Sequence, residues 1–203
     1  MIDNEIKTLE KEGRIYFIDN DGNISKDSYY KVNPYWEGFA IVQKGKDGKW
    51  YFRDIEGNIS EDCYYTTEML VLEGFAVVQK EENGKWYFRD TEGNLSKDCY
   101  YKAEPYFEGF AAVQKVKNGK WYFRDLDGNV SKDGYYCTYI YYNGFAGVQR
   151  EKDGPIEQRD MLGNVTKEQT ELGKSYFADW LSKRTVEELY RREEIIKLLC
   201  LDV

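Results

Sequence analysis

The chain contains no histidine at all. That removes the commonest general base and the commonest metal ligand, so neither a Ser-His-Asp nor a Cys-His constellation can be assembled. Its four cysteines, Cys63, Cys99, Cys137 and Cys200, form no CxxC pair and no metal-ligand spacing. They read as free thiols in a reducing cytoplasm. No apolar run approaches the roughly 18 residues needed to cross a membrane. The opening "MIDNEIKTLEKEG" lacks a basic segment followed by an apolar one, so no secretory signal is visible and a cytoplasmic location is expected. Basic charge is also short, with 29 Lys and Arg against 37 Asp and Glu and a net charge of −8. A phosphate-backbone partner needs a basic footprint, so nucleic acid is not an expected ligand.

What is abundant is aromatic. Nineteen Tyr, 10 Phe and 5 Trp make up 17% of the chain. Rings of this kind favour pleated, half-buried surfaces, which points to a β-rich fold.

The rings come in a repeat. "GKWYFRD" stands at 48–54, 84–90 and 119–125, and "EGFAIVQK" at 37–44 returns as "EGFAVVQK", "EGFAAVQK" and "NGFAGVQR". The glycines Gly38, Gly74, Gly109 and Gly144, and a second series Gly22, Gly57, Gly93, Gly128 and Gly163, recur every 35 or 36 residues. A fixed period in this range marks an array in which each unit buries its apolar face against the next.

Within a unit, the two β-favouring runs flank Asp47-Gly48, Asn83-Gly84, Asn118-Gly119 or Asp153-Gly154, pairs that supply positive φ for a tight hairpin. An Asp-x-(Asp/Glu)-Gly-Asn turn follows. A third strand is expected around Tyr29-Tyr30, Tyr64-Tyr65, Tyr100-Tyr101 and Tyr135-Tyr136. The end copies are less aromatic. Ile15 and Ile156 take the Trp slot, Glu157-Gln158 replaces Tyr-Phe and Pro155 replaces Lys, as terminal units and an edge strand require.

The chemistry-bearing residues divide by strand alternation. Trp50, Trp86 and Trp121 share a face with the Phe two residues on and are expected to pack between units. The opposite face carries Tyr51, Arg53, Tyr87, Arg89, Tyr122 and Arg124. Tyr and Arg are enriched at interface hot spots, so this stripe is the candidate binding surface. The competing reading pairs the arginines internally with Glu37, Glu73 and Glu108, which repeat in step. Asp19-x-Asp21-Gly22-Asn23 opens like a calcium loop, but the twelfth position, where a bidentate Glu is needed, is Tyr30. An Asp closing a turn explains the same residues. No metal and no cofactor are expected. The slot Ser28, Cys63, Cys99, Gly134 reads as tight packing, since a nucleophile would not alternate with Ser and Gly.

Beyond about residue 168 the composition changes. Thr185 with Glu188 forms a capping-box pattern, and Val186, Leu189, Tyr190, Ile196, Leu199 and Cys200 follow helical spacing. A C-terminal helix is expected, with a shorter one at 174–183, acting as a lid over the last unit or as a docking helix.

"EGFAVVQKEENGKWYFRDTEGN" resembles the bacterial WG (KWG) β-repeat, with Tyr51, Tyr87 and Tyr122 where that family carries Gly after Trp. The likeness spans residues 14–168. It implies β-rich repeats of mostly undefined role. "NGKWYFRDTEGN" also resembles the hairpin of choline-binding, cell-wall-binding repeats, which are shorter and complete an aromatic cage with a T-G-W element missing here.

The expectation is an all-β repeat array of stacked β-hairpins, about four and a half units over 1–168 and open like a solenoid, followed by a helical segment at 169–203. A small β-propeller is the alternative, although a four-stranded blade usually takes about 40–45 residues. The expected function is a non-enzymatic scaffold that binds another protein. The alternative is a module that binds carbohydrate or another small ligand in aromatic pockets between repeats.

Overall fold

The computed structural model describes residues 7–46, 48–142 and 144–166. The expected C-terminal helices and the Asp47 turn position lie outside them. The described chain is all β, in five small antiparallel sheets with no closed barrel. Sheet I holds β1 (Lys7–Lys11), β2 (Arg14–Ile18) and β3 (Ile24–Tyr29), and sheet II holds β4 (Lys31–Trp36), β5 (Phe39–Gln43) and β6 (Trp50–Asp54). Sheet III is β7 (Thr66–Leu72), β8 (Phe75–Gln79) and β9 (Trp86–Asp90). Sheet IV is β10 (Lys102–Ala103), β11 (Phe110–Gln114) and β12 (Trp121–Asp125). Sheet V adds a fourth strand to β13 (Cys137–Tyr142), β14 (Phe145–Gln149) and β15 (Ile156–Asp160), namely β16 (Val165–Thr166).

Three connections build each unit. The tightest is Glu-Gly, before the "FA" run. Glu37 and Gly38 take φ of 46° and 83°, and Glu73-Gly74 and Glu108-Gly109 repeat the pattern. Two residues with positive φ are what a two-residue hairpin between right-twisted strands needs. From sequence alone, Asn83-Gly84 and its copies are the expected tight turn. There the Asn or Asp does take positive φ (57° at Asn83), but the connection is longer, and its Gly is required for a different reason. A Cβ on Gly84 would stand 2.9 Å from the Glu81 carbonyl oxygen, which the Gly84 N–H caps at 3.0 Å. The buried Gln43, Gln79 and Gln114 and the half-buried Gln149 donate from Nε2 to the carbonyls of Gly48, Gly84, Gly119 and Gly154, which pins this loop.

The Asp-x-x-Gly-Asn loop closes as the sequence suggested. Asp54 accepts from the Asn58 N–H at 2.7 Å and from its side-chain amide at 2.8 Å, and Gly57 has φ of 96°. In Asp19 and Asp160 the Asn hydrogen bonds hold the carboxyl below its ordinary range. In Asp54 the Asn58 bonds do the same against a desolvation that pushes the other way.

The tyrosine doublets are where the chain changes sheet. Tyr64 pairs with Trp50 of its own sheet, while the Tyr65 N–H donates to Gln79 of the next. The first strand of each unit, directly after the doublet, was not foreseen. It carries a register shift in β4, β7 and β13.

Consecutive sheets pack face to face. Phe17 and Tyr29 of sheet I meet Ala40 and Val42 of sheet II. Ile41, Phe52 and Tyr64 meet Val71, Ala76 and Val78 of sheet III. Val77, Phe88 and Tyr100 meet Tyr106, Ala111 and Val113 of sheet IV, and Phe123 and Tyr135 meet Tyr141, Ala146 and Val148 of sheet V. Each inner sheet is therefore buried on both faces, with alternate residues serving the previous and the next neighbour.

Candidate functional site

That sandwich decides where the expected binding stripe lies. The assignment of faces holds: Trp50 and Phe52 turn to the next sheet, Tyr51 and Arg53 to the preceding one. The arginine half of the expected surface does not exist, because the preceding sheet covers it. Arg53, Arg89 and Arg124 are only 9%, 5% and 6% exposed. Their guanidinium carbons lie 4.3, 4.2 and 4.7 Å from the ring centres of Phe17, Phe52 and Phe88 in the previous unit, and Arg159 lies 4.8 Å from Phe123. A buried cation over a ring face gains electrostatic attraction that water would screen. Tyr51, Tyr87 and Tyr122 are half-buried, as are Trp50, Trp86 and Trp121, whereas the adjacent Phe52, Phe88 and Phe123 are fully buried.

The arginines do not form the expected ladder with the glutamates. Arg53, Arg124 and Arg159 donate from Nη1 to the hydroxyls of Tyr35, Tyr106 and Tyr141. Those tyrosines donate in turn to the carbonyls of Asp54, Asp125 and Asp160 at 2.8 to 3.0 Å. Sheet III has Val71 at the tyrosine position. There a carboxylate takes over, and Arg89 binds Asp62 through Nε at 2.7 Å and Nη2 at 3.1 Å. Tyr64 donates to the same carboxylate. Although desolvation opposes it, the bonds from Arg89 and Tyr64 hold Asp62 at about 2.

The glutamates do something the sequence did not reveal. The Glu37 carboxylate accepts from the N–H of Glu73 at 2.9 Å and of Gly74 at 2.7 Å, both in the next unit's turn. Glu73 accepts from Gly109 at 2.7 Å and Glu108 from Gly144 at 2.8 Å. Each hairpin tip thus holds the next by a charge-assisted bond. The matching 35-residue spacing of Glu and Arg had suggested contact, but spacing alone does not separate a partner in the same unit from one a unit away.

Along the hairpin edge, aromatic rings meet lysines. The ammonium groups of Lys44, Lys80 and Lys115 sit 4.5, 5.3 and 4.8 Å from the rings of Tyr51, Tyr87 and Tyr122. Lys49 and Lys85 sit 5.2 and 5.7 Å from Tyr65 and Tyr101. Behind the first set lies the small-residue slot. A Cβ on Gly134 would stand 2.8 Å from the Tyr122 ring, so that copy of the slot is closely packed, whereas Cys63 and Cys99 are exposed free thiols and the expected tight packing does not extend to them.

Two half-buried carboxylates also escaped notice in the sequence, Glu68 in β7 and Glu104 just after β10. Burial raises both, and the Glu68 charge helps push Glu104 to about 7. They stand in the one stretch of the unit without a fixed residue pattern. Among the described residues, no group of three or more acidic or cysteine side chains is placed to hold a metal ion, and no helix is long and apolar enough to cross a membrane.

Residues 79–95, the hairpin centred on "NGKWYFRD", match the family described as a putative cell wall binding repeat. No curated protein sequence matches the chain. Among solved structures, a streptogramin B lyase is 10% identical over 82% of this chain and 69% of its own, with a TM-score of 0.38. The selenomethionine-substituted virginiamycin B lyase from Staphylococcus aureus is 10% identical over 79% of this chain and 68% of its own, at 0.39. Likenesses this slight carry no argument about activity.

Proposed function

We propose that the protein is a non-enzymatic binding scaffold of WG-like repeats whose recognition surface is the hairpin edge, and that its partner is another protein. The observation that carries this is the repeated pairing of half-exposed Tyr with Lys at each interior hairpin. Tyr offers large contact area at low entropic cost, and repetition at a fixed spacing suits an extended partner. The match of the hairpin to a binding-type repeat supports a binding role in general. The absence of histidine and the use of the loop aspartates in turn closure support a role without catalysis. Exposed free thiols at Cys63 and Cys99 fit a reducing compartment, which supports the cytoplasm.

The second reading, a carbohydrate or small-ligand module, draws on the wall-binding match itself. A quaternary ammonium ligand would compete with Lys44, Lys80 and Lys115 for the ring faces they occupy, so this reading favours stacking of a sugar ring over caging of a cation.

The test substitutes the three edge lysines, Lys44, Lys80 and Lys115, with Ser, which leaves the buried layers intact. Capture from a host lysate and sedimentation with isolated cell walls are then compared for the two chains. A protein captured only by the unsubstituted chain supports the scaffold reading. Wall binding with no captured protein supports the second. If captured proteins and wall binding are the same for both chains, the edge is not the surface.

A further inference from the structure

Three of the four inter-sheet layers contain a buried donor and a buried hydroxyl without a well-formed hydrogen bond, although in two of them the guanidinium lies close enough to the phenol to act on it. Arg53 Nε faces the same layer as Tyr29 Oη, Arg124 Nε the same layer as Tyr100 Oη, and Arg159 Nε the same layer as Tyr135 Oη, and none of these six atoms has a hydrogen-bond partner. The arginines are 9%, 6% and 7% exposed and the tyrosines 1%, 2% and 0%. An unmade bond at such a depth leaves the full cost of desolvation uncompensated.

The remaining layer shows what satisfies this pair. Between sheets II and III, one carboxylate, Asp62, accepts from Arg89 Nε and Nη2 and from Tyr64 Oη. Arg89 Nε and Tyr64 Oη are accordingly both bonded. The guanidinium has the same pose in all four layers. A Cβ on Gly57, Gly93, Gly128 or Gly163 would stand 2.9, 3.3, 3.0 or 3.1 Å from the Nη2 of the Arg four residues before it.

We propose that Arg53 with Tyr29, Arg124 with Tyr100, and Arg159 with Tyr135 form three carboxylate-binding sites of the kind that Asp62 fills at Arg89 and Tyr64. The guanidinium offers its Nε–Nη2 edge, which matches a carboxylate in geometry, and the phenol donates a third bond. The donor set selects a carboxylate over a phosphate, since a layer closed by rings on either side admits a planar monoanion more readily than a tetrahedral dianion.

Two sources offer that group. One is the chain's own Asp27, Asp98 and Asp133. Each lies two residues before its tyrosine, as Asp62 does, in the same Ser-x-Asp turn. Ser25, Ser60, Ser96 and Ser131 donate to the carbonyls of Asp27, Asp62, Asp98 and Asp133 at 2.7, 2.9, 2.7 and 2.9 Å. With the backbone held alike, a side-chain rotation carries the carboxylate inward from its exposed position. The other source is a dissolved carboxylate. Tethering gives the aspartates a high effective concentration, so they are the expected occupants.

The arginine Nε–H signals of the full chain, recorded by nitrogen-edited NMR in Tris–chloride, decide the matter. Arg89 provides the reference, a downfield and slowly exchanging signal lost in Asp62→Asn. The expected result is three further signals of that kind, with Asp27→Asn, Asp98→Asn and Asp133→Asn each releasing one. If instead the three signals shift downfield only as acetate is added, the sites stand and a dissolved carboxylate fills them. Signals that respond neither to the Asn substitutions nor to acetate overturn the proposal. The substituted aspartates are exposed in the structure, so these variants are expected to keep their fold.

Discussion

The layer between sheets II and III and the layer between sheets III and IV do the same job with different chemistry. Both stack an arginine on a phenylalanine of the preceding sheet, at 4.2 Å for Arg89 on Phe52 and 4.7 Å for Arg124 on Phe88. Across III–IV, Tyr106 fills the space with a ring against Phe88 at 4.9 Å and offers its hydroxyl to Arg124. Across II–III, Val71 supplies no hydroxyl, and Asp62 closes on Arg89 from the other side. The lesson is that the repeat conserves a requirement, a bonded guanidinium over a ring, and lets neighbouring positions meet it in alternative ways.

The largest expected effect is common to both layers. Phe52→Ala and Phe88→Ala each remove a fully buried ring and the platform for a buried cation, at a cost of about 3–5 kcal/mol. Urea unfolding of the two variants should give losses that agree within about 1 kcal/mol, the precision with which two such sites can be compared. A much smaller loss at Phe88 would mean that the Tyr106 ring, not the phenylalanine, carries the III–IV layer.

Asp62→Asn separates the layers. It leaves Arg89 without its carboxylate, and the expected loss is about 2 kcal/mol, less than for a fully buried pair because Asp62 is 34% exposed. The sign with pH follows from the lowered carboxyl. A group held at about 2 in the folded chain, against an ordinary 3.8, contributes stability that is present above about 4 and lost as pH falls toward 2. The difference in urea midpoint between the parent and Asp62→Asn should therefore shrink over that window. A difference that stays constant down to pH 2 would show that the ion pair is not its source.

Tyr106→Phe is the matching change across III–IV. It keeps the ring and removes only the acceptor for Arg124 and the donor to the Asp125 carbonyl. About 1–2 kcal/mol is expected, and no acid dependence comparable to that of Asp62. Thermal unfolding at two pH values measures both. An acid-sensitive loss would show that the Tyr106 hydroxyl on Nη1 is coupled to the carboxylate proposed for the Nε edge of Arg124.

The sequence was legible where a residue's role is set by its own turn. The glycines of the Asp-x-x-Gly-Asn loop take positive φ of 93° to 96° in the interior and last units, and the aspartate side chain closes that loop. Alternation along "WYFRD" also assigned the two faces correctly. What alternation could not say is that both faces are internal, because an antiparallel strand with one polar-looking face ordinarily presents it to water. Arg53, Arg89 and Arg124 look solvated in sequence and are buried by the preceding unit, a contact made at a separation of one whole period. The first strand of each unit went unseen because "KVNPYW", "TTEMLVL" and "CTYIYY" share no pattern; backbone pairing to the next strand defines them, and their residues need only fit. The longer Asn-Gly connection was mistaken for the tight turn because Asn-Gly is the stronger local signal, while Glu at positive φ is rare and is explained only by what its side chain reaches.

That reach gives the smallest expected effect. Left-handed φ is unfavourable for a Glu, yet Glu37, Glu73 and Glu108 all adopt it, at 46°, 52° and 50°. Asn would suit the turn better, and the last unit does carry Asn143-Gly144 in sequence. Glutamate stands where a following turn must be held, since its longer side chain spans to the next hairpin tip. Glu37→Gln keeps length and shape but leaves one acceptor oxygen in place of two, and it removes the charge that strengthens bonds to Glu73 and Gly74. About 0.5–1 kcal/mol per position is expected, given the exposure of the site. The three positions hold separate turns, so the losses in the triple Gln variant should add. Added salt should shrink the loss, since the charge being removed is screened at an exposed site. Replacing all three by Asn tests the alternative. If the relay matters little, Asn should stabilise the chain by relieving the turns; if tip-to-tip bonding matters more than turn preference, Asn should destabilise it at every position.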